Sequence, residues 1–246
     1  MDCFVGASTG ALKAISLRDN SFLNLNVIKD LQPKKDEITA MAWNDENQSE
    51  LLIAQLDRKL RLFDADTNES ETLFNVEGGQ GPVKGLCRTN DGENLITCVQ
   101  SGVLKVWDDK GEEKAEWTVG PGVSAMRGST EKNEVVTGGI ANLVKTWDIE
   151  TNKQTWAAKN VPPDFLQLEV PIMCTDVRFI PGQNTILEAT RHHEMRLYDP
   201  RAQRRPIAKI RFLENPITTT SLCYKPNHVL AANSIGEMGL FDLRSK

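Results

Sequence analysis

The chain has 246 residues, 39% of them hydrophobic and 26% charged, with a net charge of −5. That is enough for one large all-β domain or two ordinary ones. No run approaches the ~18 uninterrupted apolar residues of a membrane helix, and MDCFVGASTG at the start lacks the basic and apolar regions of a secretory signal. Five scattered cysteines without C-x-x-C spacing predict a reducing compartment and no zinc site.

Taken in chain order, the first predicted element is STGALKAISL at 8–17, a weak strand in which Ser16 stands where later copies carry an aromatic residue. LLIAQL-DRK-LRLFD follows, two β-prone runs around a polar turn, ending on Phe63-Asp64. FDADTN at 63–68 opens like a calcium loop with Asp64, Asp66 and Asn68. It then carries Glu69 and Asn75 where such a loop needs glycine and glutamate, so a turn is predicted. Gly78-Gly79-Gln80-Gly81 lacks the Lys-Ser/Thr of a phosphate loop and reads as a connection. In the VLKVW run of LITCVQSGVLKVWD (95–108) both alternating faces are largely apolar, as in a strand covered on both sides. Trp107 is expected to pack between sheets and Asp108 to order the following turn. Val119-Gly120-Pro121-Gly122-Val123 is a stiff turn, and IANLVKTWD (140–148) is the next copy.

The segment AAKNVPPDFLQLEVPI (157–172) is too proline-rich for a strand and predicts an insertion. Its Phe165 and Leu168 either anchor a partner or pack on their own sheet. RHHEMRLYD (191–199) contains His192-His193, which as strand neighbours would point to opposite faces and cannot share a metal; a turn is predicted. SIGEMGLFD (234–242) is the last copy.

The closing aromatics Phe63, Trp107, Trp147, Tyr198 and Phe241 are spaced by 44, 40, 51 and 43 residues. A period of about 40–45 residues ending in aromatic-Asp predicts an all-β WD-repeat propeller of four-stranded blades. The expectation is a single propeller domain over 1–246 with six blades visible, one repeat short of a seven-bladed ring. The longest spacing holds the insertion, and insertions in repeat proteins map to loops on a binding face.

Charge is concentrated. Between Arg191 and Arg211 seven basic residues face two acids, so that segment is +5 and the remainder −10. Arg201, Arg204 and Arg205 cluster in a turn, where guanidinium groups suit bidentate phosphate contacts. No nucleophile elbow, catalytic triad or metal-ligand spacing occurs, so the reading is a binding protein without enzymatic activity, cofactor or small-molecule substrate.

LITCVQSGVLKVW (95–107), VGPGV (119–123), AKNV followed by LEVPI (158–161 and 168–172) and QRRP (203–206) together resemble the nucleolar WD-repeat ribosome assembly factors, along nearly the whole chain. The resemblance implies a seven-bladed propeller with a basic tail in the nucleus and nucleolus. It also implies a role on large-subunit (pre-60S) precursors in pre-rRNA processing, with other pre-60S assembly factors and a nuclear AAA-type ATPase as partners. On that reading Arg201, Arg204 and Arg205, with Lys159 and Asn160 of the insertion, contact a protein partner or the pre-rRNA backbone. A second reading rests on Tyr198-Asp199-Pro200-Arg201 and Phe241-Asp242-Leu243-Arg244, which look like the W-D-x-R boxes of cullin-type ubiquitin ligase substrate receptors. Ligase adaptors or ribosome assembly factors in an affinity purification distinguish the two.

Overall fold

Six antiparallel sheets follow one another along the chain; the predicted hairpin forms the middle of the four-stranded sheets and lies at an edge of the first and last, which have three described strands instead of the expected four. The computed structural model describes residues 2–163 and 165–244. They fall into two compact units, 1–116 and 117–246.

In the first unit, blade one is β1 (Cys3–Gly6), β2 (Leu12–Ser16) and β3 (Ser21–Asn24). Blade two is β4 (Ile38–Trp43), β5 (Glu50–Gln55), β6 (Lys59–Asp64) and β7 (Ser70–Asn75). Blade three is β8 (Val83–Arg88), β9 (Leu95–Val99), β10 (Val103–Trp107) and β11 (Glu113–Thr118), whose last residues cross the unit boundary. In the second unit, blade four is β12 (Val123–Gly128), β13 (Glu134–Gly139), β14 (Asn142–Asp148) and β15 (Lys153–Ala157). Blade five is β16 (Cys174–Ile180), β17 (Thr185–Thr190), β18 (Glu194–Tyr198) and β19 (Ala208–Arg211). Blade six is β20 (Ile217–Leu222), β21 (His228–Asn233) and β22 (Met238–Asp242).

The two middle strands of a four-stranded blade are covered on both faces, which is why LITCV and VLKVW are apolar except for Thr97 and Lys105 and are buried almost throughout. Fourth strands such as EKAEWT are largely exposed, and their composition is correspondingly polar. The core lies between successive blades. Leu52, Leu60 and Val76 of blade two meet Leu86, Leu95 and Trp107 of blade three. Within the second unit Val136, Val144 and Ala158 meet Val177, Ile186 and Tyr198. Leu187, Met195 and Leu197 in turn meet Ile217, Val229 and Ala231.

Register fixes what each repeat position does. Phe63, Trp107, Trp147, Tyr198 and Phe241 pair across the hairpin with Leu51, Leu95, Val135, Ile186 and Val229. In blade one the equivalent pair is Ile15 with Cys3. Ile15, and not Ser16, therefore occupies the aromatic position. Ser16 takes the aspartate's place, and its hydroxyl bonds Asp19 in the turn.

The aspartates order their turns by accepting backbone N–H groups two to four residues on. Asp64 accepts from Asp66 and Thr67, Asp108 from Lys110 and Glu112, and Asp148 from Glu150 and Thr151. Asp199 and Asp242 do the same for Arg201 and Arg244. These N–H donors hold the Asp64 carboxyl below its ordinary range.

The polar tips of the aromatics are matched ten residues back. Trp107 Nε1 donates to Thr97 Oγ1 at 2.8 Å, Trp147 Nε1 to Thr137 Oγ1 at 3.0 Å, and Tyr198 Oη to Glu188 Oε2 at 2.7 Å. Phe63 and Phe241 have no tip, and the corresponding residues are Ile53 and Ala231. A buried donor must be met, and an unmatched polar partner would be stranded.

The first strands of blades two to six each carry a β-bulge, skipping Thr39, Lys84, Ser124, Thr175 and Thr218. An extra residue leaves a carbonyl of the neighbouring strand without its ladder partner. Thr39 and Thr218 supply a hydroxyl donor to Ala54 and Ala232 at 3.2 and 3.1 Å, whereas Ser124 directs its hydroxyl to Cys174 O of the next blade at 2.5 Å.

Candidate interaction surface

The surface is built by two connections of the second unit. The turn from β18 to β19 begins as the other blades' turns do, with Arg201 N–H donating to Asp199. It then continues through Gln203-Arg204-Arg205-Pro206 instead of closing after a few residues. The extra length lies along the end of β15 and the start of the insertion. Lys159 N–H donates to Arg204 O at 2.8 Å, and Arg204 Nε donates to Ala157 O at 2.7 Å. Arg205 Nε reaches Asn160 O at 3.3 Å. Two segments that the sequence marks separately, 157–172 and 198–211, thus form one surface.

The insertion is closed at a neck. Asn160 Nδ2 donates to Val170 O at 2.8 Å, while its Oδ1 accepts from Val161 N–H at 2.9 Å. Below the neck, Ala141 N–H donates to Ile172 O, Ile140 bridges Met173, and His192 Nε2 lies 3.0 Å from Pro171 O. His192 is therefore a brace for the loop root. The sequence marks it as a turn residue and shows nothing of this second task, because its partner lies 21 residues away.

Above the neck the loop turns its apolar side chains outward. Phe165 is 90% exposed, Leu166 62% and Leu168 60%. Of the two expectations for Phe165, packing on its own blade does not occur. Asp164, between Pro163 and Phe165, lies outside the described residues.

The basic residues sort by what they already touch. Arg196 is buried between Glu188 and Glu194, and Arg211 pairs with Glu194 at 3.6 Å. Lys159, Arg204 and Arg205 are exposed beside the insertion. Arg201 turns toward Asn184, whose side-chain carbonyl accepts from its guanidinium. There it borders a cleft of about 220 Å³ walled by Trp156, Phe179 and Ile186. Arg244 is folded onto Asp242 in its own turn, at 3.0 and 2.8 Å. The two arginines of the ligase-type boxes thus make different contacts.

Two of the five thiols, Cys98 and Cys174, are buried in the core. Burial pushes the Cys98 thiol up to about 12 and that of Cys174 well above its ordinary value. Among the described residues, no three His, Cys, Asp or Glu side chains are placed to hold a metal ion.

The neck gives a direct test. Asn160→Ala removes two hydrogen bonds of roughly 1 kcal/mol each and is expected to speed chymotryptic cleavage at Phe165 several-fold. The main unfolding midpoint should stay nearly unchanged. Limited proteolysis beside thermal unfolding reads both, and equal cleavage rates would mean that the neck is held by other contacts.

No protein-family model matches the chain. It is 35% identical over 250 residues to WD repeat-containing protein 74 of Homo sapiens, covering 98% of this chain and 64% of that protein. The chain thus spans somewhat less than two thirds of that relative. A shorter match, 40% identity over 73 residues, links it to Ribosome biogenesis protein NSA1 of Meyerozyma guilliermondii, covering 29% of this chain and 18% of that protein. The crystal structure of the computationally designed Ika8 protein superposes with a TM-score of 0.68 at 18% identity, covering 97% of this chain and 67% of the designed one. That likeness concerns the fold alone.

Proposed function

Because this chain is a homologue of WD repeat-containing protein 74 along 98% of its length, with the six blades of a WD-repeat β-propeller, we propose that it is a non-catalytic scaffold in ribosome biogenesis. It acts on precursors of the large subunit, in the nucleus and nucleolus, and supports pre-rRNA processing alongside other assembly factors. The resemblance of its sequence motifs adds a nuclear AAA-type ATPase as the partner that removes it. The partial match to a ribosome biogenesis protein supports the same role.

The observation that carries the reading at the level of the site is the joining of the arginine turn to the insertion. It places Lys159, Arg204 and Arg205 on one exposed face while Asn160 holds that face in shape. Arg201 adds charge at the adjoining turn. Guanidinium groups whose Nε is held by a carbonyl are pre-oriented to present their remaining N–H donors to phosphate, which suits the pre-rRNA backbone.

The test must separate charge from clamp, since Arg204 and Arg205 also brace backbone. Replacing Arg201, Arg204 and Arg205 together with glutamine is expected to weaken binding to pre-rRNA fragments. It should also lower the slope of log affinity against log salt by about 2–3 for the three lost phosphate contacts. Replacement of the three by lysine should keep most of that slope. Filter binding across salt concentrations measures it; identical slopes for the glutamine variant would remove the three arginines from the RNA contact.

A further inference from the structure

Phe165, Leu166 and Leu168 stand in water on a loop whose neck is pinned at Asn160–Val170 and whose root is braced by Ala141, Met173 and His192. Pro162-Pro163 stiffens the ascent to the tip. A loose loop would fold its apolar side chains back on the nearest blade; here the neck holds them away from it. The cost of hydrating Phe165 is therefore built into the loop and is recovered only when something covers the tip.

We propose that this tip is a hook that inserts into an apolar groove on a partner protein whose rim carries aspartate and glutamate. The proposal rests on the assembly-factor reading and assigns the insertion a partner class. Charge complementarity selects the partner. Lys159, Arg204 and Arg205 form a basic collar along the 157–160 side of the neck, opposite the exposed Glu169, so a groove whose acidic margin lies on that side meets both the apolar tip and the basic collar. Phosphate alone would satisfy the collar and leave Phe165 uncovered. An aromatic anchor with arginines about it is also the composition in which binding energy concentrates at interfaces. Its neck and root are held by hydrogen bonds before docking, so little ordering entropy is lost there.

The test places a photo-crosslinking benzoylphenylalanine at position 165 of the whole chain and recovers it on precursor particles, with and without ribonuclease. The expected product is a cross-link to one protein, surviving ribonuclease, at a peptide with apolar residues flanked by Asp or Glu. Phe165→Ser, at a site 90% exposed, should leave the unfolding midpoint unchanged and lower retention of that purified protein about tenfold or more. Leu168→Ser should act in the same direction.

A cross-link confined to rRNA would overturn the hook and leave the ribosome reading standing. A single acidic-rimmed protein foreign to ribosome assembly would keep the hook and overturn that reading. Co-sedimentation with phosphatidylcholine–phosphatidylserine vesicles, lost in Phe165→Ser, would overturn the protein groove in favour of a lipid surface. Cross-links scattered over many proteins would overturn it outright.

Discussion

Trp107→Ala is expected to lower the stability of the first unit by roughly 3–5 kcal/mol, the range for truncating a large buried aromatic. Trp107 is only 4% exposed, its ring lies 4.9 Å from that of Phe74, and its Nε1 is spent on Thr97. Removing it empties the space between blades two and three and strands a buried hydroxyl. Urea unfolding monitored by circular dichroism measures the loss. A double-mutant cycle isolates the hydrogen bond. Trp107→Phe and Thr97→Val each strand one partner, whereas the double variant strands neither, in the manner of Phe63 with Ile53. It should be less destabilised than the sum of the single changes by about 1 kcal/mol. Simple additivity would mean that the bond contributes nothing to the packing.

Glu188→Ala should cost a similar amount in the second unit. Glu188 is 2% exposed, accepts from Tyr198 and faces Arg196, itself 3% exposed, at 3.8 Å. Deleting one member of a buried ionic set leaves charge that is poorly compensated, typically at a cost of 3–5 kcal/mol. Arg196 keeps Glu194 at 3.2 Å, which places the expectation at the lower end.

Burial raises the Glu188 carboxyl above its ordinary value, against the opposing pull of Arg196 and the Tyr198 hydroxyl. The folded state therefore holds this proton more tightly than the unfolded chain. The contribution is fully present below the ordinary carboxylate value and declines as pH rises through the raised folded value. Glu188→Gln lacks that titration. The native protein should lose stability relative to Glu188→Gln as pH increases from the ordinary glutamate value. Thermal unfolding of both chains across mildly acidic pH reads the sign. A relative gain for the native protein with rising pH would mean that the Arg196 attraction outweighs burial.

The repeat was legible because a covered strand must be apolar on both faces and because the turn after it needs an acceptor. Phe63-Asp64 through Phe241-Asp242 state both requirements within two residues. Blade one was placed one residue off, since with neither an aromatic nor an aspartate at its end only cross-strand register distinguishes Ile15 from Ser16. The bulges were not foreseen, although a serine or threonine at the skipped position of four first strands is their trace in the sequence. At the surface, composition marked the arginines and the proline-rich insertion but not their meeting. That contact rests on backbone carbonyls of Ala157, Asn160 and Arg204, and a carbonyl has no residue letter.

The match between each aromatic tip and the residue ten positions earlier has a consequence for folding fidelity. A chain of near-identical hairpins risks pairing one repeat's strand with another's, or with its own partner slipped by one residue. Strand exchange between blades would set the Trp147 indole against Ala231, or the Glu188 carboxylate against Phe63, each stranding a buried polar group. The differences among the blades, which look like decay of a repeat, work as an address system wherever the pairs differ: the Tyr198–Glu188 pair of blade five and the tipless Phe63 and Phe241 of blades two and six reject the Trp–Thr strands of blades three and four, which are alike.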